Sequence, residues 1–204
     1  LDAARNRLAT PPSGELDTSV RDALLCRLVF TCYLVDRKVI GPAYFSAIGA
    51  SGCANVLDLF TNYKPTETKA LLYGLFGALH RDFNGDLFTP SLDDEAALIN
   101  ETHLDVLHRF LKGDDLQTGQ ISLGFWAYDF RVIPIETISA IYESFLGSND
   151  ADGKRKTGAY YTPRFLAEVV IDSALDGLRP LLGKRFLDPA CGSGIFLVGI
   201  FHRL

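Results

Sequence analysis

Phe186-Leu187-Asp188-Pro189-Ala190-Cys191-Gly192-Ser193-Gly194 is the stretch whose reading decides the fold. A short apolar run delivers an aspartate, then a proline, then a Gly-Ser-Gly turn. The apolar run Ile195-Phe196-Leu197-Val198 follows. This is the order strand, ligand loop, helix of an open α/β sheet, with Asp188 at the carboxyl end of the strand, where ligands bind. Gly192 and Gly194 let the backbone approach a ligand and turn into the helix. A dehydrogenase fingerprint would need a third glycine where Leu197 stands, and a nucleoside triphosphatase loop would need a lysine that is absent. The stretch therefore predicts the beginning of a Rossmann-like unit. Such a loop needs further strands to cover it, which are expected beyond Leu204. The chain begins at Leu1 and contains no methionine, so it is expected to be a segment of a longer protein.

Working back from that loop, Thr157-Gly158-Ala159-Tyr160-Tyr161-Thr162-Pro163-Arg164 has the grammar of a helix start, a hydroxyl cap followed by proline in the first turn. Its simplest reading is a capped helix running through Leu166, Val169 and Val170. Residues 147–156 carry no large apolar side chain and read as a linker. Before them, apolar residues at three- and four-residue steps predict helices over about Asp17–Arg37, Asn55–Thr61, from Pro65 past Leu79, around Asp93–Ile99, from an Asn100 cap to Gly113, and from Pro134 to Gly147. Gly124–Val132 reads as a short extended piece. The expected organisation is a polar segment over 1–16 and a helical domain or connector over 17–146. The linker over 147–156 and the start of an α/β domain over 157–204 follow. The fold class is thus mainly α, followed by a truncated Rossmann-like beginning.

Charge divides the chain in the same way. Residues 1–153 carry 12 Lys+Arg against 21 Asp+Glu, a net of −9, whereas residues 154–204 carry 8 against 4, a net of +4. The first part is a poor candidate for gripping phosphates. Lys154-Arg155-Lys156 is a basic run with two readings, a contact to DNA phosphates or simply a soluble linker. No stretch approaches the ~20 apolar residues of a membrane span, and Leu1–Ser13 lacks the apolar core of a signal peptide. Cys26, Cys32, Cys53 and Cys191 show no Cys-x-x-Cys spacing, and buried reduced thiols in a cytoplasmic protein are expected.

The Asp-Pro-Ala-Cys-Gly-Ser-Gly heptapeptide over 188–194 resembles the first motif of the N6-adenine DNA methyltransferases of restriction–modification systems. Gly158-Ala159-Tyr160-Tyr161-Thr162-Pro163, about 25 residues earlier, resembles a further motif of one circularly arranged subgroup. Ile133–Leu146 is similar in layout to large members that combine methylation with cleavage. The resemblance implies S-adenosylmethionine as cofactor. It places Thr162 at the methionine carboxylate, Tyr160 and Tyr161 beside the cofactor, the backbone of Ala190, Gly192 and Gly194 around the methionine part, and Asp188 at the amino group. It also implies duplex DNA as substrate, a nuclease or specificity unit as partner, and Mg2+ only if a nuclease domain lies outside this chain. The catalytic Asn/Asp-Pro-Pro-aromatic motif has no counterpart, because the sole Pro-Pro is Thr10-Pro11-Pro12-Ser13. No methyl transfer and weak or no cofactor affinity are therefore expected of these residues alone. Two other readings stand beside this one. The helical region would be a connector without chemistry of its own, or the parent would methylate RNA or protein.

Other polar groups carry simpler expectations. His103 and His108 are five apart and do not share a helix face, so with Glu101 and Asp105 they read as solvated helix residues and not as a metal site. His80 and His202 read as helix ends or surface. Asp93-Asp94-Glu95 reads as a solvated first turn, Asp114-Asp115 as a loop, and Trp126, Tyr128 and Phe130 as core.

Overall fold

The computed structural model describes residues 1–10, 16–83, 86–88, 92–121, 128–134, 137–138, 141, 162–191 and 194–204. Two compact units divide at Pro134: Leu1–Pro134 and Ile135–Leu204. The first is helical: α1 (Asp2–Leu8), α2 (Thr18–Asp36), α3 (Pro42–Ala47), α4 (Val56–Asn62), α5 (Pro65–Phe83), a 3-10 turn (Asp86–Phe88), α6 (Leu92–Leu98) and α7 (Glu101–Lys112).

The centre of this unit is α2, with 11 buried residues out of 19. A helix that is apolar nearly all round belongs in a core, and the run Leu24–Val35 has that composition. Phe88 plugs the 3-10 turn into the core, with ring centroids 6.1 Å from Phe30 and 5.9 Å from Phe76. Both α4 and α7 begin with a capping box. Asn55 Oδ1 accepts from the Asp58 N–H at 3.1 Å. Asn100 Oδ1 accepts from the His103 N–H at 3.1 Å, and His103 Nδ1 accepts from the Asn100 N–H at 3.1 Å. Gly113 ends α7 in the left-handed conformation, as its position just after Lys112 predicts.

The first sixteen residues hold more than a polar segment. Ala4 and Leu8, four apart on α1, are fully buried, and the Arg5 guanidinium forms a two-pronged ion pair with Asp22 on α2, with Nε donating to Oδ1 at 2.7 Å. Arg7 Nε donates to the Leu116 carbonyl at 2.7 Å. Asp22 is fully buried, so Arg5→Ala leaves a carboxylate in the core with only Arg21 at 3.4 Å. The expected loss is about 3 kcal/mol of unfolding free energy, read from the urea midpoint. A loss below about 1 kcal/mol would mean that α1 is not held by this pair.

Several expectations about charged groups are corrected here. Glu95 is not part of a solvated turn. It is buried, pairs with Arg27 on α2, and accepts from the Tyr73 hydroxyl at 2.8 Å. Asp93 and Asp94 are exposed as expected. His103 is buried as the capping partner of Asn100, and His108 is half-buried and stacked on Phe60. His80 is half-buried, and its Nδ1 is shut away without a hydrogen-bond partner. Asp114 is buried beside Arg109 at 3.6 Å. For Glu95 and His108 the reason is a partner far away in sequence, Arg27 and Phe60, which leaves no mark on local composition.

Phe130 is buried as expected, whereas Tyr128 is exposed at the edge of the core, its ring against Phe110 and Phe130 with centroids at 5.3 and 6.2 Å. Trp126 lies outside the described residues, as do the rest of 124–127 and the linker expected over 147–156, whereas 128–132, expected to be extended, are loop and turn with no strand partner among the described residues. Of the helix expected after Pro134, only Thr137, Ile138 and Ile141 are described, and each is helical. Among the described residues no helix is long and apolar enough to cross a membrane.

Cys26, Cys32 and Cys53 are buried and Cys191 is exposed. Burial pushes the Cys26 thiol up to about 12, helped by Asp22, and raises Cys32 and Cys53 as well. An aromatic disulfide reagent at pH 8 is therefore expected to label Cys191 alone in the folded chain, the other three reacting only in denaturant. Rapid labelling of a second thiol would contradict this packing.

Candidate functional site

The second unit contains α8 (Arg164–Leu175) and α9 (Ile195–Phe201). Ala167 and Ile171 are the buried face of α8. The helices approach closely at Gly199, where an added Cβ would stand 2.4 Å from Ile171 Cδ1. Arg203, just past α9, reaches back to Asp172 on α8 at 2.8 Å. A glycine inside an apolar helical run was the available sequence signal for this contact.

The expected helix start is shifted by one position. Pro163 is the N-cap, with ψ of 141°, and the helix begins at Arg164. The Pro163 carbonyl accepts from the N–H groups of Leu166 and Ala167 at 2.9 and 3.0 Å. Thr162 is thus one residue before the cap and makes no capping bond. A residue preceding proline is pushed towards extended geometry, which moves the helix start past the hydroxyl.

Arg185–Asp188 carries no strand, and none is present among the described residues. A strand is defined by its ladder, and Leu187 is 88% exposed with nothing beside it to pair. The bend that follows does form. Asp188 is half-buried. Its Oδ1 accepts from the Ala190 N–H at 3.0 Å, while its Oδ2 is shut away from solvent with no hydrogen-bond partner. The Gly194 N–H donates to the Cys191 carbonyl at 2.6 Å. Gly194, at φ +77°, is the left-handed residue that opens α9.

Nothing lies within 4 Å of a Cβ added to Gly194, so Gly194→Ala tests the backbone alone. The expected cost is about 1 kcal/mol, read as a small drop in melting temperature. A neutral outcome would mean that the bend relaxes to negative φ.

Of the residues expected at this site, Thr162, Asp188, Ala190 and Gly194 are described. Tyr160, Tyr161 and Gly192 lie outside the described residues, as do Lys154, Arg155 and Lys156. Residues 134–204 contain the aspartate, its buried oxygen and the glycine-led bend. They also coincide with a known family. These residues match the N-6 DNA Methylase family. A stretch of 70 residues in the chain is 40% identical to the type I restriction enzyme MjaIX methylase subunit of Methanocaldococcus jannaschii. That stretch is 34% of this chain and 12% of the relative, so the chain spans a small part of the protein it matches. No solved structure matches the chain. The methylase match begins at Pro134, upstream of the 157–204 region that carries the two sequence motifs, and it leaves the helical unit outside.

Several large apolar side chains of this unit are exposed. Phe165 and Val169 on α8, Phe201 on α9, and Leu182 and Leu187 between the two helices all stand more than half exposed. Isolated exposed leucines are ordinary, but this many large apolar groups on so short a segment mark surface that expects cover.

Proposed function

We propose that this chain is part of an S-adenosylmethionine-dependent DNA methyltransferase of a restriction–modification system, acting on the N6 amino group of adenine. The observation that carries this reading is the divided Asp188 carboxylate. One oxygen shapes the bend through Ala190, and the other is buried and unsatisfied. A buried acceptor without a donor costs about 1–3 kcal/mol, and an ammonium group would remove that cost with a charge-assisted bond. The chemistry of the donor set therefore fits the amino-acid end of the cofactor.

In this reading Asp188 holds the cofactor's amino group, and the backbone of Ala190, Gly192 and Gly194 wraps its methionine part. Thr162 lies towards its carboxylate, with Tyr160 and Tyr161 beside it. When bound, the cofactor supplies a methyl group on a sulfonium. The residues of this chain bind and orient. Extraction of the target base and the hydrogen bonds to its amino group belong to an Asn/Asp-Pro-Pro-aromatic motif that this sequence does not contain. The exposed apolar side chains of this unit support a sheet laid over them in the longer protein, giving the Rossmann-like fold. Lys154, Arg155 and Lys156 fit phosphate contacts in the duplex.

The test is to incubate the complete protein that carries this segment with unmethylated duplex DNA and methyl-labelled cofactor, then digest the DNA to nucleosides. Label in N6-methyladenine is expected. Label in a cytosine product, or transfer only to RNA or protein, would overturn the assignment.

A further inference from the structure

The capping box that opens α7 carries an imidazole where a glutamate or glutamine commonly stands. His103 Nδ1 accepts from the Asn100 N–H at 3.1 Å, and Asn100 Oδ1 accepts from the His103 N–H at 3.1 Å. A ring nitrogen that accepts must hold a free lone pair, so this geometry requires the neutral ring with its proton on Nε2. A glutamate at the same place would go on accepting down to about pH 4, whereas a histidine ordinarily takes up its proton near pH 6.5. The residue type therefore makes this cap depend on pH in a range where the usual one does not.

Three conditions oppose a charged ring here. His103 is buried, and burial disfavours an imidazolium. It stands in the first turn of α7, where the helix dipole disfavours a cation. Lys69 on α5 donates through Nζ to the Ile99 carbonyl at 3.0 Å, which sets a positive charge one residue before the cap. The other charged groups on the elements packed against α7 have engagements of their own. On α1, Arg5 pairs with Asp22 and lies in the field of Asp2, and Arg7 donates to the Leu116 carbonyl. On α4, Asp58 accepts from the Asn55 N–H at 3.2 Å, and on α5, Glu67 accepts from the Lys64 N–H at 3.2 Å. On α7 itself His108 stacks on Phe60, and Glu101 and Asp105 are exposed, where water screens their pull on a cation.

We propose that His103 is an acid-sensitive switch: proton uptake at Nδ1 uncaps the first turn of α7 and loosens its packing on α4 and α5. The added proton turns the acceptor into a donor, so two N–H groups face each other and a cation is left in the core. A fold that selects the neutral ring keeps this contribution to stability above the ordinary histidine range and loses it as pH falls through about 6.5. The switch stands apart from the methylase reading, because it uses only the helical unit.

The test compares the full chain with H103Q, in which glutamine keeps an acceptor that does not titrate, between pH 7 and pH 5. The unfolding equilibrium constant from urea titration is expected to rise about tenfold more in the parent chain than in H103Q, the scale of one histidine held neutral by the fold. The protection of the Asn100 N–H against hydrogen exchange is expected to fall about tenfold over the same range in the parent chain and to hold in H103Q. Nitrogen-15 spectra at pH 7 are expected to show His103 Nδ1 without a proton. The proposal is overturned if both chains lose stability alike, if Asn100 protection holds in the parent chain, or if Nδ1 carries a proton at pH 7. Should H103Q fail to fold, the Asn100 and Nδ1 measurements on the parent chain decide alone.

Discussion

Glu95→Ala is expected to remove about 3–5 kcal/mol of stability from the helical unit, the largest effect of any single change described for it. The carboxylate lies at the meeting point of three elements. Arg27 on α2 donates to Oε2, and Tyr73 on α5 donates to Oε1 at 2.8 Å. The same guanidinium donates through Nε to the Leu87 carbonyl in the 3-10 turn at 2.7 Å. Arg27 and Glu95 are both more than nine-tenths buried. Truncating the acid strands a cation and a hydroxyl away from water, and the penalty comes from those orphans more than from the lost attraction. Burial, reinforced by Glu95, already raises the Tyr73 hydroxyl above its usual range, so it stays a donor at every pH at which the chain is handled. Against a total of roughly 5–15 kcal/mol for a domain, the loss brings the unit close to its unfolding midpoint. Glu95→Gln keeps the shape and one acceptor, and should cost about half as much. Urea unfolding of both variants checks this, and a Glu95→Ala midpoint within error of the parent chain would show that the network is incidental.

Asp188→Asn, made in the complete protein, is expected to weaken S-adenosylmethionine binding by about tenfold to a hundredfold. That is the scale of one charge-assisted hydrogen bond of about 1.5–3 kcal/mol. The asparagine side-chain carbonyl can still accept from the Ala190 N–H, so the bend should persist and the melting temperature of the unliganded protein should hardly move. Asp188→Ala separates the two roles, because it also frees the Ala190 N–H and should loosen the bend. Calorimetric titration with the cofactor decides the matter. If Asp188→Asn binds as tightly as the parent protein, the buried oxygen does not face the cofactor.

What the sequence disclosed, and what it hid, follows from the range of the interactions. Helices α2, α4, α5, α6 and α7 were legible because periodicity, Asn caps and a terminal glycine are written within a few residues of each other. The Asn100 cap and the Gly113 stop fall where expected. Helix α1 was masked by its neighbourhood, since seven residues with one buried pair sit just ahead of a Thr-Pro-Pro-Ser-Gly stretch. The buried charges were illegible for a different reason. Arg27 and Glu95 are 68 residues apart, and each on its own reads as a solvated side chain. At the Asp188 bend the turn into α9 was legible in Gly194. The flanking strand was not secured by it, since a ladder depends on partners elsewhere in the chain.

The α1 contacts also bear on the order of events at the ribosome. Arg7 finds its acceptor on Leu116, 109 positions along the chain, so α1 cannot settle until the residues after α7 have emerged. Contacts of such long range are slow to close, and nascent chains fold as whole domains become available. Helix α1 precedes every other element of the helical unit in sequence and is thus among the last of them to be locked down.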